Sequence, residues 1–233
     1  MGQLTLNLIA ISVFLVTVTT LLGPLVHIPQ GVPAIATVTV LAIAIIDQAQ
    51  WNGTVGNLFL GGFRRFSAVQ QQRVLHHEAG HLLMAHLLSI PVTDYSLTAW
   101  EAWRKGFPGQ GGVQFDTASL ETAVGEGQIP AQLLNRYCVV WMAGVAAEQL
   151  MYGEALGGQD DRQKFTILWQ QLGRTVQQGL AQQRWALLQA KTLLEQHGEA
   201  YQALVEAMAE QTPVADCQAL LIENGATPTD QSS

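Results

Sequence analysis

The sequence predicts a mainly α-helical fold with a small β-sheet, preceded by a hairpin of two transmembrane helices. Three observations carry that reading. No Lys or Arg precedes Arg64, and the only acidic side chain before it is Asp47, so the first part of the chain is almost uncharged. The stretch from Ala68 to Ser89 contains no Pro and no Gly other than Gly80, as a long helix requires. Strand-like patterns are confined to Thr93–Trp100 and Gly112–Asp116, while most of the remaining chain has helical spacing. At 233 residues, with 48% hydrophobic and only 12% charged residues, the chain is long enough for one sizeable domain plus an apolar segment.

Taken in order, Leu4 to Leu22 is an apolar run with a single Asn. As a helix it measures roughly 28 Å, close to the hydrocarbon thickness of a bilayer. A short Pro- and Gly-containing turn, Gly23 to Gly31, leads into a second apolar run, Val32 to Ile46, and Trp51 beyond it suits a membrane interface. Residues 1–63 are thus expected to be a membrane anchor and linker, with transmembrane helices at about 4–22 and 32–46. Met1-Gly2-Gln3 lacks the basic start of a cleaved signal peptide, which favours a retained anchor. Arg64, Arg65 and Arg73 follow the second run. The positive-inside bias therefore places residues 64–224 on the cytoplasmic side, or on the stromal side of a thylakoid or plastid membrane, with both termini sharing that side.

Within residues 64–224, Ser67-Ala68-Val69-Gln70 has capping-box form for the helix that runs towards Ser89, and Pro91 lies past its end. The two strands flank the Gly- and Pro-rich stretch Gly106 to Gly112. A further helix is expected from Pro130 to near Gly153, and its Ala143-Gly144-Val145-Ala146-Ala147 segment would let another helix approach closely. Helices then follow Asp161, span about Gln178 to His197, carry Tyr201, Leu204, Val205 and Met208 on one face, and follow Pro213. The polar residues 225–233 are expected to be a disordered tail.

The most informative motif lies in the first of these helices: His77-Glu78-Ala79-Gly80-His81 reads H-E-x-x-H. Four residues are about 400° of helical rotation, so His77 and His81 point the same way, one turn apart, as two zinc ligands require. Glu78 lies beside that face, placed to take a proton from a zinc-activated water. The bland alternative, two packed histidines and a solvated glutamate, explains each residue singly but not the three together. His76 and His86 lie off the shared face and are expected to be packed. Met84 and Leu87 stand where the extended metzincin pattern needs glycine and a third histidine, so a third ligand must come from elsewhere. Asp160 and Asp161 open a later helix, where capping and metal ligation compete on equal terms.

The formal net charge of −7, with no basic stripe, argues against a nucleic-acid role. Cys138 and Cys217 form no C-x-x-C pattern and are expected to be reduced and packed. No G-x-x-x-x-G-K-[ST] phosphate loop occurs, and Lys105, Lys164 and Lys191 lack such a context, so this chain is expected to bind no ATP.

With these residues in view, the chain resembles the peptidase domain of the FtsH-type family of membrane-anchored zinc metalloproteases. His77-Glu78-Ala79-Gly80-His81 is similar to that family's zinc motif. Met142 to Leu150, with Tyr152-Gly153, resembles its G-G-x-A-A-E-E-hydrophobic-x-x-G helix, and Gly157 to Thr166 resembles its G-A-S-N-D-hydrophobic-x-x-A-T segment. The resemblance implies an FtsH-like helical zinc peptidase domain, Zn²⁺ as cofactor, and His77, His81 and Asp161 as its ligands. Glu148 is then a carboxylate that orients a histidine, or a competing ligand from the second helix. The family carries an AAA+ ATPase module between anchor and peptidase, whereas here about 20 residues separate Asp47 from the zinc helix. Arg162 and Phe165 also replace an apolar residue and an alanine of the family pattern.

The expected function is therefore that of a membrane-anchored zinc metalloendopeptidase acting on unfolded or membrane proteins, independent of ATP as an isolated chain. Its expected partners are a polypeptide substrate, held extended along Tyr95–Trp100 or Gly112–Phe115, and membrane lipid, with a homo-oligomer or an ATPase-bearing FtsH-type relative as further candidates. The alternative is a non-catalytic zinc-binding assembly or regulatory subunit of an FtsH-type complex. An intramembrane protease is disfavoured, because Gln70, Gln71, Gln72 and Arg73 directly precede the motif.

Overall fold

The computed structural model describes residues 3–23, 29, 31–50, 68–107 and 111–228. The chain divides into two compact units, Met1–Phe59 and Leu60–Ser233.

The first unit contains helices α1 (Gln3–Leu22) and α2 (Gly31–Gln50), each of 20 residues and touching one another. Their threonines do not leave hydroxyls idle. Thr17, Thr19, Thr20, Thr37 and Thr39 each donate to the carbonyl four residues back, at 2.7–2.9 Å, which satisfies the polar group within the helix itself. The apolar side chains Ile11, Phe14, Leu21, Ile35 and Val38 face outward. Among the described residues no helix is long and apolar enough to cross a membrane. Trp51, Arg64, Arg65 and Ser67, the last expected as a cap, lie outside the described residues.

The second unit is mainly helical with a small two-stranded sheet. Its centre is α3 (Ala68–Leu87), whose Leu75, Ala79, Leu82, Leu83, Met84 and Leu87 are buried. This helix runs against α6 (Ala131–Tyr152), and the two come unusually close because small residues face each other. A Cβ on Gly80 would lie 2.8 Å from both the Ala143 carbonyl oxygen and the Ala147 methyl, so only glycine fits. The small-residue run thus performs the packing role its composition predicts. On the other sides, α8 (Val176–Gln196) packs on α6, and α9 (Gly198–Ala209) packs on α3 through buried Tyr201, Leu204, Val205 and Met208.

Strands β1 (Val92–Ser96) and β2 (Gly112–Phe115) pair antiparallel, with Tyr95 opposite Val113 and Ser96 opposite Gly112. The first strand ends four residues earlier than its pattern predicts. Thr98 accepts a hydrogen bond from the Glu101 N–H at 3.1 Å and so caps a short helix, α4 (Ala99–Lys105), which takes up Trp100. A second short helix, α5 (Ala118–Gly125), was likewise unforeseen. Helix α6 runs between Pro130 and Gly153 as expected, although Pro130 is its cap, with ψ 133, and not its first helical residue. Helix α7 (Gln159–Gln171) begins ahead of Asp161, α8 starts at a capping box of Thr175 and Gln178, and α10 (Val214–Glu223) follows Pro213.

The tail expected to be disordered from residue 225 onward begins packed against the helices at Ala226. Ala226 is fully buried, its N–H donates to the Leu221 carbonyl at 2.9 Å, and its own carbonyl accepts from His86 Nε2 at 2.9 Å. Burial holds His86 below the usual histidine range, and the neutral ring donates to this carbonyl. Residues 229–233 lie outside the described residues.

Candidate metal centre

Three buried side chains converge from two helices: His77 and His81 from α3, and Asp161 from the first turn of α7. The two Nε2 atoms are 3.1 Å apart, His77 Nε2 is 3.1 Å from Asp161 Oδ2, and His81 Nε2 is 3.4 Å from the same oxygen. Ligands bound to a tetrahedral ion at 2.0–2.1 Å lie about 3.3 Å from one another, so this triangle has the size such an ion needs.

The hydrogen bonds behind the triangle decide its chemistry. His81 Nδ1 lies 2.7 Å from the Val140 carbonyl, which can only accept, so Nδ1 carries the proton and Nε2 presents a lone pair. His77 Nδ1 lies 2.8 Å from Glu148 Oε1 and donates to that carboxylate, so the proton that a metal ion would displace is the one on Nε2, facing Asp161 Oδ2 at 3.1 Å. Two imidazole nitrogens and a carboxylate oxygen thus face one another, the donor set of a cation site. His77, His81 and Asp161 form a group that can hold a metal ion.

The electrostatics agree. Burial alone would push His77 down, but its hydrogen bonds to Asp161 and Glu148, with the charges of Glu78 and Asp161, raise it to about 10. Burial likewise pushes Asp161 up, and the His81 and His77 rings outweigh it, holding the carboxyl far below the usual range. Both shifts state that the pocket stabilises positive charge between these groups, a place that a proton and a metal ion compete for.

Asp161 does not cap its helix. The cap position is Gly158, with no side-chain cap bond, and the Asp161 carboxylate turns inward to the histidines, with Lys164 Nζ 3.8 Å from its other oxygen. Asp160 stays exposed. Glu148, from α6, sits on the Nδ1 side of the His77 ring and not in the triangle. There it also accepts from the Leu156 N–H at 2.9 Å, the Gly157 N–H at 3.1 Å and Arg73 at 3.4 Å. Burial pushes its carboxyl up, yet these bonds, that of His77 foremost, bring it below the usual range, so it stays ionised and fixes the ring. Arg73 in turn stacks on Tyr152, 4.4 Å from its ring centroid.

Sequence reasoning missed why Gly144 is a glycine. Any Cβ there would collide with the His77 ring, so the residue that looked like helix-packing material also makes room for a ligand. The departures at Arg162 and Phe165 find partners: Arg162 is exposed and donates to the Gly157 carbonyl at 3.0 Å, and Phe165 is buried and stacked on Trp169 at 5.2 Å. His76 is packed away from the triangle, its Nδ1 2.9 Å from the Tyr201 hydroxyl. Both cysteines are free and buried; burial pushes the Cys138 thiol up to about 12 and the Cys217 thiol up to about 11, far from reactive thiolates.

Glu78 lies on α3 between the ligands, partly exposed, and its Oε2 accepts a hydrogen bond from the Val113 N–H of β2 at 2.9 Å. The centre therefore joins a compact donor triangle to a carboxylate that solvent can reach. No protein-family model matches this chain, and no curated protein matches it, so its own geometry carries the functional reading.

Proposed function

We propose that the chain is a zinc metalloendopeptidase of FtsH-like type, anchored in a membrane by its first 63 residues. The observation that supports it most is the combination of a buried His77–His81–Asp161 triangle with the carboxylate of Glu78 one residue from a ligand. Two imidazole nitrogens and a carboxylate oxygen suit Zn²⁺, although other first-row ions accept the same set. When bound, the ion would supply Lewis acidity and lower the pKa of a water to ~7.

The residues of the chain divide the remaining work. With the ion bound, His77 and His81 would present Nε2 lone pairs, their rings fixed by Glu148 and by the Val140 carbonyl. Asp161 balances charge. Glu78 accepts the proton of the water that attacks a peptide carbonyl and gives it to the leaving amine. The hairpin of β1 and β2 lies beside α3 and offers main-chain groups to an extended substrate. Without a phosphate loop in the sequence, the substrates would be unfolded segments, flexible tails or loops, unless an ATPase-bearing relative delivers others.

The full chain, purified in detergent and metal-analysed, is expected to hold about one zinc and to cleave unfolded casein without ATP. Chelation should stop cleavage, and zinc should restore it. A metal-loaded chain that cleaves no unfolded polypeptide would instead favour a zinc-binding assembly subunit. The hairpin anchor is tested separately by tagging both ends in sealed vesicles. A hairpin gives both tags the same protease accessibility, and opposite accessibility rules it out.

A further inference from the structure

The chemistry of Glu78 depends on where its carboxylate is held, and α3 alone does not hold it. The backbone of β2 does. The Val113 N–H donates to Oε2 at 2.9 Å, and the adjoining residue, Gly112, leaves the carboxylate its space. A Cβ on Gly112 would stand 3.0 Å from Oε2, 3.3 Å from Oε1 and 3.4 Å from Cδ, tighter than ordinary contacts with a group that is already hydrogen-bonded in place. Gly112 also has φ +109, a conformation that side-chain-bearing residues rarely adopt.

A third residue fixes this backbone from the other strand. Ser96 pairs opposite Gly112 in the hairpin register, is buried, and accepts the Gly112 N–H on its hydroxyl at 3.2 Å. Gly111 packs so closely on the same hydroxyl that a Cβ there would collide with it. The unusual turn into β2 is thus tied to β1 at its entry, and the next N–H along emerges aimed at Glu78.

From this geometry we propose that β2 is the seat of Glu78: the Val113 N–H and the bare Cα of Gly112, braced by the Ser96 hydroxyl, position the carboxylate for proton transfer. The inference rests on the peptidase reading above and adds Gly112, Val113 and Ser96 to it as positioning residues. A glutamate has a long, freely rotating stem, and a hydrogen bond to one oxygen selects one arrangement and leaves Oε1 for the proton. A displacement of about 1 Å at such a group can cost on the order of 100-fold in rate.

The test uses the full chain and two kinds of measurement. Gly112→Ala is expected to lower kcat about 100-fold with KM changed less than about 3-fold and with zinc content unaltered, because no metal ligand is touched. Ser96→Ala, which keeps both glycines, is expected to lower kcat about 10-fold in the same pattern. Hydrogen exchange reads the seat without any activity. In Glu78→Ala the Val113 amide loses its acceptor and should exchange at least about 10-fold faster, while the Asp116 amide, which donates to the Pro91 carbonyl at 2.9 Å, stays protected. If Gly112→Ala fails to fold, Ser96→Ala and the exchange measurement decide. Unchanged Val113 exchange in Glu78→Ala overturns the proposal, as does wild-type kcat in a folded Gly112→Ala chain. Faster Val113 exchange in a protein that never cleaves a peptide supports the seat and sinks the peptidase reading instead.

Discussion

On the proposed peptidase mechanism, a Glu78→Gln chain is expected to keep its metal and to lose cleavage rate by on the order of 10³-fold, within the range that general acid–base groups contribute. The substitution is nearly isosteric. The carboxamide oxygen can still accept the Val113 N–H, and His77, His81 and Asp161 keep the contacts that converge on one another. What disappears is the basic oxygen that the proposed mechanism uses to take a proton from water and return it to the amine, a role a neutral amide cannot fill. Elemental analysis of the purified variant should therefore match the wild type while casein cleavage falls to background. Cleavage at the wild-type rate by metal-loaded Glu78→Gln would remove Glu78 from the chemistry.

The same site shows where sequence reasoning works and where it stops. The pairing of His77 with His81 follows from helical periodicity alone, because a four-residue spacing fixes both direction and distance. Asp161 is different. Nothing local distinguishes a carboxylate that caps its own helix from one that turns away from it, and only the resemblance singles this residue out; the contacts of its Oδ2 with both histidines show which way it points. Gly144 reads in the sequence as a small residue of a close-packed helix, yet it is Gly80 that meets the backbone of α6, and Gly144 meets an imidazole. That difference depends on how the helices are rotated against each other, which composition does not encode.

Backbone donors are harder still to foresee. The Val113 N–H that holds Glu78 has no side-chain signature, and the glycine before it reads only as the junction between the Gly- and Pro-rich stretch and the second strand. The missed helices α4 and α5 have 7 and 8 residues, too short for periodicity to separate them from strand or turn. Residues 225 and 226 were expected to be loose because they are small and polar-flanked. They are ordered by a contact with His86, 140 positions away in sequence, that local pattern cannot carry.

Replacing Asp161 by Ala is expected to weaken zinc binding by more than about 100-fold, beyond the 10–100-fold typical of losing a carboxylate that only orients a ligand. Asp161 Oδ2 lies within 3.4 Å of both Nε2 atoms, so its removal opens one corner of the triangle and takes away the negative charge nearest the ion. Glu148→Ala acts on one histidine from behind and should stay inside the smaller range. Asp160→Ala, an exposed first-turn change that caps nothing, should cost only a helix-dipole contribution of about 0.3–1 kcal/mol and leave the metal in place. Thermal unfolding provides a readout independent of catalysis. Free zinc at about 100 times the wild-type Kd adds roughly 2.7 kcal/mol to the stability of a protein that binds only when folded, a gain that Asp161→Ala should largely lose at the same concentration. Retention of the metal by Asp161→Ala together with its loss from Glu148→Ala would move the third ligand to α6 and overturn the alignment with the zinc peptidases.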